Sequence, residues 1–418
     1  MELKSKQLAV LMLSMFIFTL GFGIMIPVMG FFTKNMGATA LDLGLLMASM
    51  SLMQFLFAPV GGRISDRVGR KPVMLAGLFG FAVSFAIVGV STQLWMLFVA
   101  LVLGGILSAG IWPASLAYIA DISSHEERGK FMGYAGAASG LGIIAGPAIS
   151  SILANWGLTL PFFASSALAL FTTLATLVLL PETLNRESRS GGIERRISFL
   201  ATLKTPLGMF FFLMLLVSFA IACVDTTYVF FISDRFGMSE LPSAMPVLGG
   251  TMTLTGPNVL SILFTAMGFI AVASQLGVGV MIQKYGEEKT IIAGLALLGA
   301  GMAAVVLAAD LASLLVVTCL TGLGGNLLNP AINTYVSKRS PRGQQGAMMG
   351  FLGSFNSIGR VLGPSVGGFA YTISMLLPYV GPAVLALASM AVMGCSIRGG
   401  ARRDTQAAGT EAGETGAR

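Results

Sequence analysis

Two ionisable residues, Asp225 and Arg360, lie deep inside long apolar stretches of the sequence. An ionisable residue inside a membrane costs roughly 2.5–3.5 kcal/mol on insertion scales, so it is by default a functional candidate that faces the interior of a helix bundle. A carboxyl group in that position can take up and release a proton or bind a cation. Asp225 is therefore the candidate proton-coupling residue, and Arg360 is the group that would draw the proton off. The alternatives are a neutral or paired structural role for Asp225 and an interface role for Arg360.

The sequence lacks the residue clusters that metal, redox or ATP-driven chemistry needs. Its three cysteines, Cys223, Cys319 and Cys395, lie in apolar runs, and its one histidine, His125, lies in a polar loop. Neither a disulfide framework nor a Cys/His metal site can be assembled from them. No Gly-x4-Gly-Lys-Ser/Thr phosphate loop is present. We expect no catalytic residues, no metal and no cofactor.

The composition is that of a polytopic membrane protein. Of 418 residues, 55% are apolar and 10% are charged, and the mean hydropathy is +0.85, whereas soluble domains average about 25% charged residues. Apolar runs of about twenty residues can each cross a bilayer as a helix. They lie near 7–29, 43–62, 72–91, 94–120, 131–154, 160–181, 206–233, 259–282, 290–309, 311–336, 346–371 and 375–397. The sequence therefore predicts twelve spans.

The basic residues fall on one side of these spans. Of 25 lysines and arginines, only Lys34 and Arg235 lie in the loops on the opposite side, and Arg360 lies within a span. The positive-inside rule places the side with the excess of Lys and Arg in the cytoplasm. We expect a multi-pass plasma-membrane protein with both termini cytoplasmic. The net charge of +7 is then a topology signal and needs no nucleic acid to explain it.

A polar, charged stretch divides the chain into two halves of six spans. We expect an N-terminal six-helix bundle over 1–185, a cytoplasmic linker over 186–205, a C-terminal six-helix bundle over 206–397 and a disordered cytoplasmic tail over 398–418. A shift of 217 residues superimposes the halves, with Tyr118 on Tyr335 and Pro147 on Pro364. Parallel repeats of this kind belong to transporters that rock one half against the other around a central site. The longer loop 234–258 interrupts the repeat.

The loop between the second and third spans carries a recognisable motif. It reads Gly62-Arg63-Ile64-Ser65-Asp66-Arg67-Val68-Gly69-Arg70-Lys71. This resembles the signature loop of the major facilitator superfamily, Gly-x-x-x-Asp-Arg-x-Gly-Arg-Lys. The resemblance implies an all-α polytopic membrane protein with twelve transmembrane helices in two pseudo-symmetric six-helix bundles. It also implies a cytoplasmic latch between the halves, formed by Gly62, Asp66, Arg67, Gly69, Arg70 and Asp121. The alternative is that these are ordinary cytoplasmic charges. The second-half copy, 283–288, lacks the aspartate, so we expect a latch in the first half only.

Glycines recur at fixed spacing in the fifth and eleventh spans. In the fifth span they resemble the motif of the drug:proton antiporter branch of the superfamily, with Ser150-Ser151 at the usual closing glycines. Glycines four apart let a neighbouring helix approach closely, and proline bends a span. The helix-interface motif comprises Gly142, Gly146, Pro147, Gly359, Gly363 and Pro364. The basic residue usual in the fourth span of that branch is absent from 99–105.

The same resemblance implies that spans one, four, seven and ten line a central cavity. The fourth and tenth spans carry polar stripes at helical spacing, and the first carries phenylalanine and methionine. The substrate-cavity candidates are Phe22, Met25, Ser108, Trp112, Ser115, Tyr228, Asn326, Asn329 and Asn333. Soft apolar walls with few fixed polar groups suit a loosely discriminating pocket.

We expect a secondary active transporter that exchanges protons for lipophilic or amphipathic drugs by alternating access. Its expected partners are the lipid bilayer, small lipophilic substrates and protons, and we expect a monomer that binds no nucleic acid. One alternative is a metabolite or sugar transporter of the same fold, which would need several charged or carboxamide anchors from both halves. Another is a non-transporting membrane receptor or a membrane-embedded enzyme. An enzyme would need a cluster of catalytic groups at one depth, and one Asp and one Arg are too few.

Overall fold

A computed structural model of the chain describes residues 2–123, 128–183, 207–239, 241–247, 250–340 and 345–394. The predicted linker 186–205 and tail 398–418 lie outside the described residues, as does His125. Within the described part, long helices account for nearly all of the structure, and one cluster of buried apolar residues extends through both halves.

The first half of the chain forms seven helices. They are α1 (Glu2–Lys34), α2 (Ala40–Val68), α3 (Arg70–Val90), α4 (Leu94–Ser108), α5 (Ile111–Ile122), α6 (Arg128–Ala154) and α7 (Leu160–Leu179). The fourth span, Leu94–Ile122, is interrupted between α4 and α5. Pro113 has no N–H to donate to the carbonyl of Ala109, so the helix loses a hydrogen bond at this point.

The second half forms six helices and one hairpin. They are α8 (Gly208–Phe236), β1 (Ser243–Val247), β2 (Gly250–Leu254), α9 (Gly256–Tyr285), α10 (Glu287–Ala304), α11 (Leu311–Arg339), α12 (Gln345–Ile373) and α13 (Leu377–Gly394). A short 3-10 turn, Val305–Leu307, follows α10.

These helices form the twelve spans that the sequence predicts. Eleven spans in the described part are long and apolar enough to cross a membrane. The remaining one is α12, which has 29 residues but carries Arg360 and Asn356. Large apolar side chains such as Phe171, Val178 and Leu307 are exposed on the outside. An outer surface of this kind suits helices that satisfy their own backbone groups and face lipid.

Side-chain caps fix where two of the spans begin. Thr39 and Asp42 form a reciprocal capping box at the start of α2, in which the Asp42 N–H donates to Thr39 Oγ1 and the Thr39 N–H donates to Asp42 Oδ2. Asp310 and Ser313 form the same arrangement at the start of α11. Such caps satisfy N–H groups that have no partner within the helix.

The loop 234–258, for which no strands were predicted, contains an antiparallel hairpin of β1 and β2. Met245 opposes Met252 in its register and is fully buried, whereas Met252 is exposed. The Gly256 N–H donates to the Ser239 carbonyl and closes the loop onto the start of α9. Leu254 at the end of β2 is buried too, so the hairpin is held to the second half by two buried side chains and by its closing bond.

The two glycine motifs occupy equivalent helix interfaces. The Cα of Gly146 in α6 lies against Gly23 of α1, and Gly363 of α12 lies against Ala222 of α8, with no space for a side chain at either glycine. Ser150 Oγ donates to the Ile24 carbonyl of α1 at 2.8 Å. The serine that replaces a glycine of the motif thus joins the same two helices by a hydrogen bond.

The halves meet mainly along two pairs of helices, α2 with α12 and α6 with α9. Smaller contacts join α1 to α8 and α9, and α2 to α8. We call the end of the bundle at which α1 ends and α2 begins the Lys34 end, and the opposite end, at which α3 begins, the Arg70 end.

Candidate functional site

A cavity of about 620 Å³, including the open solvent at its mouth, lies between the two halves. It is walled by α1, α2, α8 and α12. The lining residues are Phe22, Met25, Ile26, Met29, Leu43, Met47, Met50, Ser51, Ala222, Asp225, Thr226, Arg360 and Pro364.

The wall from the first half is almost wholly apolar. On α1 the lining residues recur at i, i+3, i+4 and i+7 from Phe22, and on α2 they recur at i, i+4, i+7 and i+8 from Leu43, which places each set on one helix face. The ring of Phe22 packs edge-on against Phe18, with centroids 5.2 Å apart. Four of the lining residues are methionines, whose flexible thioethers fit irregular apolar shapes.

The wall from the second half carries the charge. Asp225 is half-buried on α8, and Arg360 is exposed to the cavity on α12. The two attract each other through space, yet no ion pair within 4.0 Å joins them among the described residues. The Thr226 hydroxyl donates to the Ala222 carbonyl at 2.9 Å, so it is already satisfied within α8.

The coupling and cavity candidates that share this cavity are Phe22, Met25, Asp225 and Arg360, and Pro364 of the helix-interface motif also lines it. Asn356, one turn before Arg360, points its amide at Met214 Sδ of α8, 3.6 Å away.

The other cavity candidates on the second half lie elsewhere. Tyr228 is buried, and its hydroxyl is hydrogen-bonded to that of Thr318 of α11 at 3.2 Å. Asn329 and Asn333 donate to carbonyls of their own helix, and Asn326 is half-buried beside them. Their contact with substrate stays a prediction.

The candidates of the fourth span are also outside this cavity. Ser108 is buried and accepts a hydrogen bond from Gln54 Nε2 of α2 at 3.2 Å. Ser115 is fully buried, and Trp112 is 41% exposed. Their contact with substrate likewise stays a prediction.

The cavity face of α2 was not predicted from the sequence. Leu43, Met47 and Met50 lie at i, i+4 and i+7 of one helix. That spacing is the signal that could have found them, since two methionines on one face of a span resemble the pattern in α1.

At the Lys34 end, beyond the cavity, a bridge joins α1 to α8. Lys34 Nζ donates to Ser233 Oγ at 2.5 Å and pairs with Asp234 Oδ1 at 3.1 Å. The Tyr371 hydroxyl of α12 donates to the other oxygen of Asp234 at 2.9 Å. We call this set the Lys34–Asp234 bridge. It joins the first half to two helices of the second.

Further contacts between the halves lie at the same end. Asn258 Nδ2, at the start of α9, donates to Asn155 Oδ1, just beyond α6, at 3.2 Å. Gly44 of α2 lies against the backbone of Pro364 of α12. The two halves are therefore in close contact at the Lys34 end.

At the Arg70 end, the predicted latch residues of the first half lie together. Arg70 Nε bonds Asp121 Oδ2 at 3.1 Å, and Arg70 Nη1 pairs with Asp66. Gly69 has a φ of +127°, a conformation that favours glycine. Gly62 and Arg67 lie on the same segment of α2, and the Arg67 side chain is exposed.

Glu182 completes this cluster and was not anticipated. Its carboxylate accepts hydrogen bonds from the N–H groups of Arg70 and Lys71 at 3.0 and 3.1 Å. These are the first N–H groups of α3, where a carboxylate is favoured by the helix dipole. The end of α7 is thereby fastened to the start of α3.

The second half has a charge cluster of its own. Lys338 pairs with Glu287, and Arg339 pairs with Glu288 at 3.3 Å. The guanidinium of Arg339 also lies 3.7 Å from the centroid of the Tyr335 ring, a cation–π contact. The second half thus carries ion pairs at the equivalent place, formed by Glu287 and Glu288, although it lacks the aspartate of the motif. The expectation of a latch in the first half only stays a prediction.

Comparison with known proteins identifies the family. The sequence matches the family described as Major Facilitator Superfamily over residues 11–259 and 243–417. The chain belongs to this superfamily. Its relatives include multidrug resistance protein 2 of Bacillus subtilis (strain 168), 30% identical over 386 residues that cover 90% of this chain and 92% of the relative. The quinolone resistance protein NorA of Staphylococcus aureus (strain COL) is 28% identical over 381 residues, with 90% and 92% coverage.

Solved transporter structures share the fold. The human organic anion transporter MFSD10 (TETRAN) aligns with a TM-score of 0.64 at 23% identity, covering 93% of this chain and 99% of that one. A bacterial homolog of the human lysosomal transporter Spinster, in an inward-facing and occupied conformation, aligns with a TM-score of 0.75 at 13% identity, covering 95% and 97%.

These findings confirm the twelve-helix fold predicted from the sequence, and they make the chain a multi-pass membrane transporter of the major facilitator superfamily and not an enzyme.

Proposed function

We propose that this transporter exports lipophilic or amphipathic drugs across the plasma membrane in exchange for protons, by alternating access. The observation that carries the proposal is the cavity between the halves, which combines a methionine and phenylalanine wall with one carboxylate, Asp225. The drug-resistance names of the two bacterial relatives support the same class of cargo.

The distribution of basic residues supports an orientation. The Arg70 end carries the excess of lysine and arginine, so we place it in the cytoplasm together with both termini. The Lys34 end then faces outside. In this orientation the Lys34–Asp234 bridge closes the outer side, and the structure corresponds to a state in which drug cannot leave outward.

The two halves, 1–185 and 206–397, are the bodies that rock against each other, joined by the linker 186–205. The Lys34–Asp234 bridge stabilises one of the two end states of this motion. The cluster of Asp66, Arg70 and Asp121 would stabilise the other state, in which the cytoplasmic ends come together. We propose that the transporter works as a monomer, because each half supplies one wall of the same cavity.

Asp225 and Arg360 are the proposed coupling pair. Within the described part of the chain, neither side chain has a hydrogen bond or an ion pair that would fix its charge. A proton taken up by Asp225 removes the attraction to Arg360, and a proton released restores it. Coupling requires only that the uptake and release of a proton by Asp225 be favoured to different extents in the two states of the halves.

The cavity argues against a sugar or polar-metabolite carrier. Such cargo needs hydrogen-bonding anchors on both walls, and the first-half wall offers only Ser51 as a polar side chain. A substrate with a large apolar surface matches that wall better.

The test is dye transport in proteoliposomes that contain the full chain. A lipophilic dye should move against its gradient when a pH gradient is imposed, and an ionophore that collapses the pH gradient should stop it. Uphill transport that persists without a pH gradient would contradict proton coupling, and no transport of several lipophilic dyes would contradict drug export.

A further inference from the structure

The charged and apolar parts of the cavity come from different halves. Both ionisable lining residues, Asp225 and Arg360, belong to the second half, and the four lining methionines belong to the first. A bound molecule must therefore present its polar groups to α8 and α12 and its apolar body to α1 and α2.

The spacing of the two charges is fixed by the packing of their helices. The α8–α12 interface is close, with Gly363 against Ala222 and the Cys223 thiol donating to the Gly363 carbonyl at 3.2 Å. Ala222 is three residues before Asp225, and Gly363 is three residues after Arg360. Neither charged residue can move far without its helix.

Arg360 has no fixed partner. Within the residues that the structure describes, its guanidinium makes no hydrogen bond and no ion pair within 4.0 Å, and its recorded interaction is the attraction of Asp225 through space. An arginine keeps its charge under all ordinary conditions, and enclosing an unpaired charge is costly. A ligand that fills this cavity must supply Arg360 with an acceptor or leave a charge uncompensated.

This requirement discriminates between classes of amphiphile. A lipophilic cation could pair with Asp225 but would leave Arg360 facing a second positive charge. A neutral lipophile would pair with neither. A molecule with a carboxylate and a cationic centre on one apolar body could pair with both, and a guanidinium binds a carboxylate through two parallel hydrogen bonds.

We propose, on the basis of the function proposed above, that the preferred cargo is a zwitterionic amphiphile. Its carboxylate binds Arg360, its cationic centre binds Asp225, and its apolar body lies against Phe22 and the methionines of α1 and α2. Arg360 is on this assignment a specificity-determining residue that selects for an anionic group. Rocking of the halves then separates the polar contacts of the cargo from its apolar contacts, which weakens binding as the cavity opens.

The experiment compares rhodamine B, a zwitterion with a free carboxylate, with its ethyl ester, which has the same ring system and cation but no carboxylate. Binding to the purified full chain in detergent is followed by fluorescence anisotropy. The wild type should bind the acid about tenfold more tightly than the ester, as expected for charge-assisted hydrogen bonds to one carboxylate.

Variants test which residue causes the preference for the acid over the ester. Arg360→Gln should remove the tenfold difference in affinity by weakening the binding of the acid. Arg360→Lys, which keeps the charge, should retain part of the difference. Asp225→Asn should weaken the binding of both dyes by a similar factor, because both dyes carry the cation. Arg235→Gln, at the exposed end of α8, is the matched control and should leave the difference unchanged.

Binding of the ester by Arg360→Gln shows that this variant is folded. An equal affinity of the wild type for acid and ester, or a preference for the acid that survives in Arg360→Gln, would overturn the inference while leaving drug export intact. If the wild type binds neither dye, the inference and the proposed function both fail.

Discussion

Glu287 pairs with Lys338 in the second half at the positions where Arg70 pairs with Asp121 in the first, with the signs of the charges exchanged. The shift of 217 residues that superimposes the halves carries Arg70 onto Glu287 and Asp121 onto Lys338. Each half therefore has an ion pair between the start of its third span and the end of its fourth. Because the order of charge is reversed, the two faces at the Arg70 end have complementary potentials, which favours their approach.

This relationship bears on the variant Asp66→Asn. The Asp66 side chain is 67% exposed beside Arg70, and that of Lys338 is 64% exposed, so both are available when the halves close at this end. We expect the transport rate to fall severalfold while dye affinity changes little, because the residue biases the two states and does not touch the cavity. Initial rates in proteoliposomes and dye titrations measure the two quantities. A collapse of affinity with an unchanged rate would contradict the latch assignment.

Removing the Lys34–Asp234 bridge should favour opening at the Lys34 end. The side chains of Lys34 and Asp234 are 35% and 47% exposed, and exposed ion pairs contribute about 0.2–1 kcal/mol. We expect Lys34→Met to shift the balance between the two states by up to about fivefold. Distances between spin labels at Asn155→Cys and Ser239→Cys, in a cysteine-free background, report this population.

The charge exchange Lys34→Asp with Asp234→Lys is the control, since it can restore the pair. A distribution of distances that is the same in Lys34→Met and in the wild type would show that the bridge does not hold the closed end.

Asp225→Asn should separate transport from coupling. Asparagine resembles the protonated carboxyl in volume but cannot exchange a proton. We expect uphill, pH-driven efflux to be lost while downhill movement of dye continues. Asp404→Asn, in the predicted tail, is the matched control. Wild-type rates of pH-driven efflux in the Asn variant would move the coupling role to another carboxyl group or make the protein a uniporter.

A side chain at Gly146 should destabilise the first half. The methyl of Gly146→Ala would collide with Gly23 of α1, whereas Gly140→Ala on the same helix meets no atom within 4 Å. Overpacking of this kind costs about 1–3 kcal/mol. We expect a lower Tm in detergent for Gly146→Ala and an unchanged or slightly higher Tm for Gly140→Ala. Equal Tm values for the two variants would mean that α1 and α6 are not closely packed in solution.

Labelling tests the orientation. In a cysteine-free background, an impermeant thiol reagent added to intact cells should reach Ser239→Cys, beside the hairpin, but not Ser190→Cys, in the predicted linker. Permeabilised cells provide the control for Ser190→Cys. The reverse pattern would place the Arg70 end outside.

Most of the fold could be predicted from the sequence, because the patterns that indicate it are local. Each span is a run of apolar residues, and the glycine spacing marks positions that tolerate no side chain, such as Gly146. The hairpin could not be predicted in the same way. β1 contains Pro246 and has no alternating pattern, and the two strands are positioned by the burial of Met245 and Leu254. Such a contact depends on the tertiary structure.

The candidate site could be predicted from the sequence only in part, for a related reason. Asp225 and Arg360 stand out because charge is rare within spans, but the face of α2 that carries Met47 and Met50 has no charged residue to mark it. Which apolar face looks into a cavity and which looks at lipid depends on how the helices are arranged around the centre. The Lys34–Asp234 bridge likewise joins residues about 200 positions apart, and sequence spacing does not indicate such a pair.

The separation of apolar and charged walls into different halves also has a consequence for how this protein can evolve. Substitutions among the methionines of α1 and α2 would reshape the space available to the body of a drug without altering Asp225 or Arg360. The shape of the cargo's apolar body and the charge of its polar groups are then selected by nearly independent traits, since the residues that contact them lie on different copies of the duplicated unit. A population exposed to a new compound could adapt through changes in the first half alone.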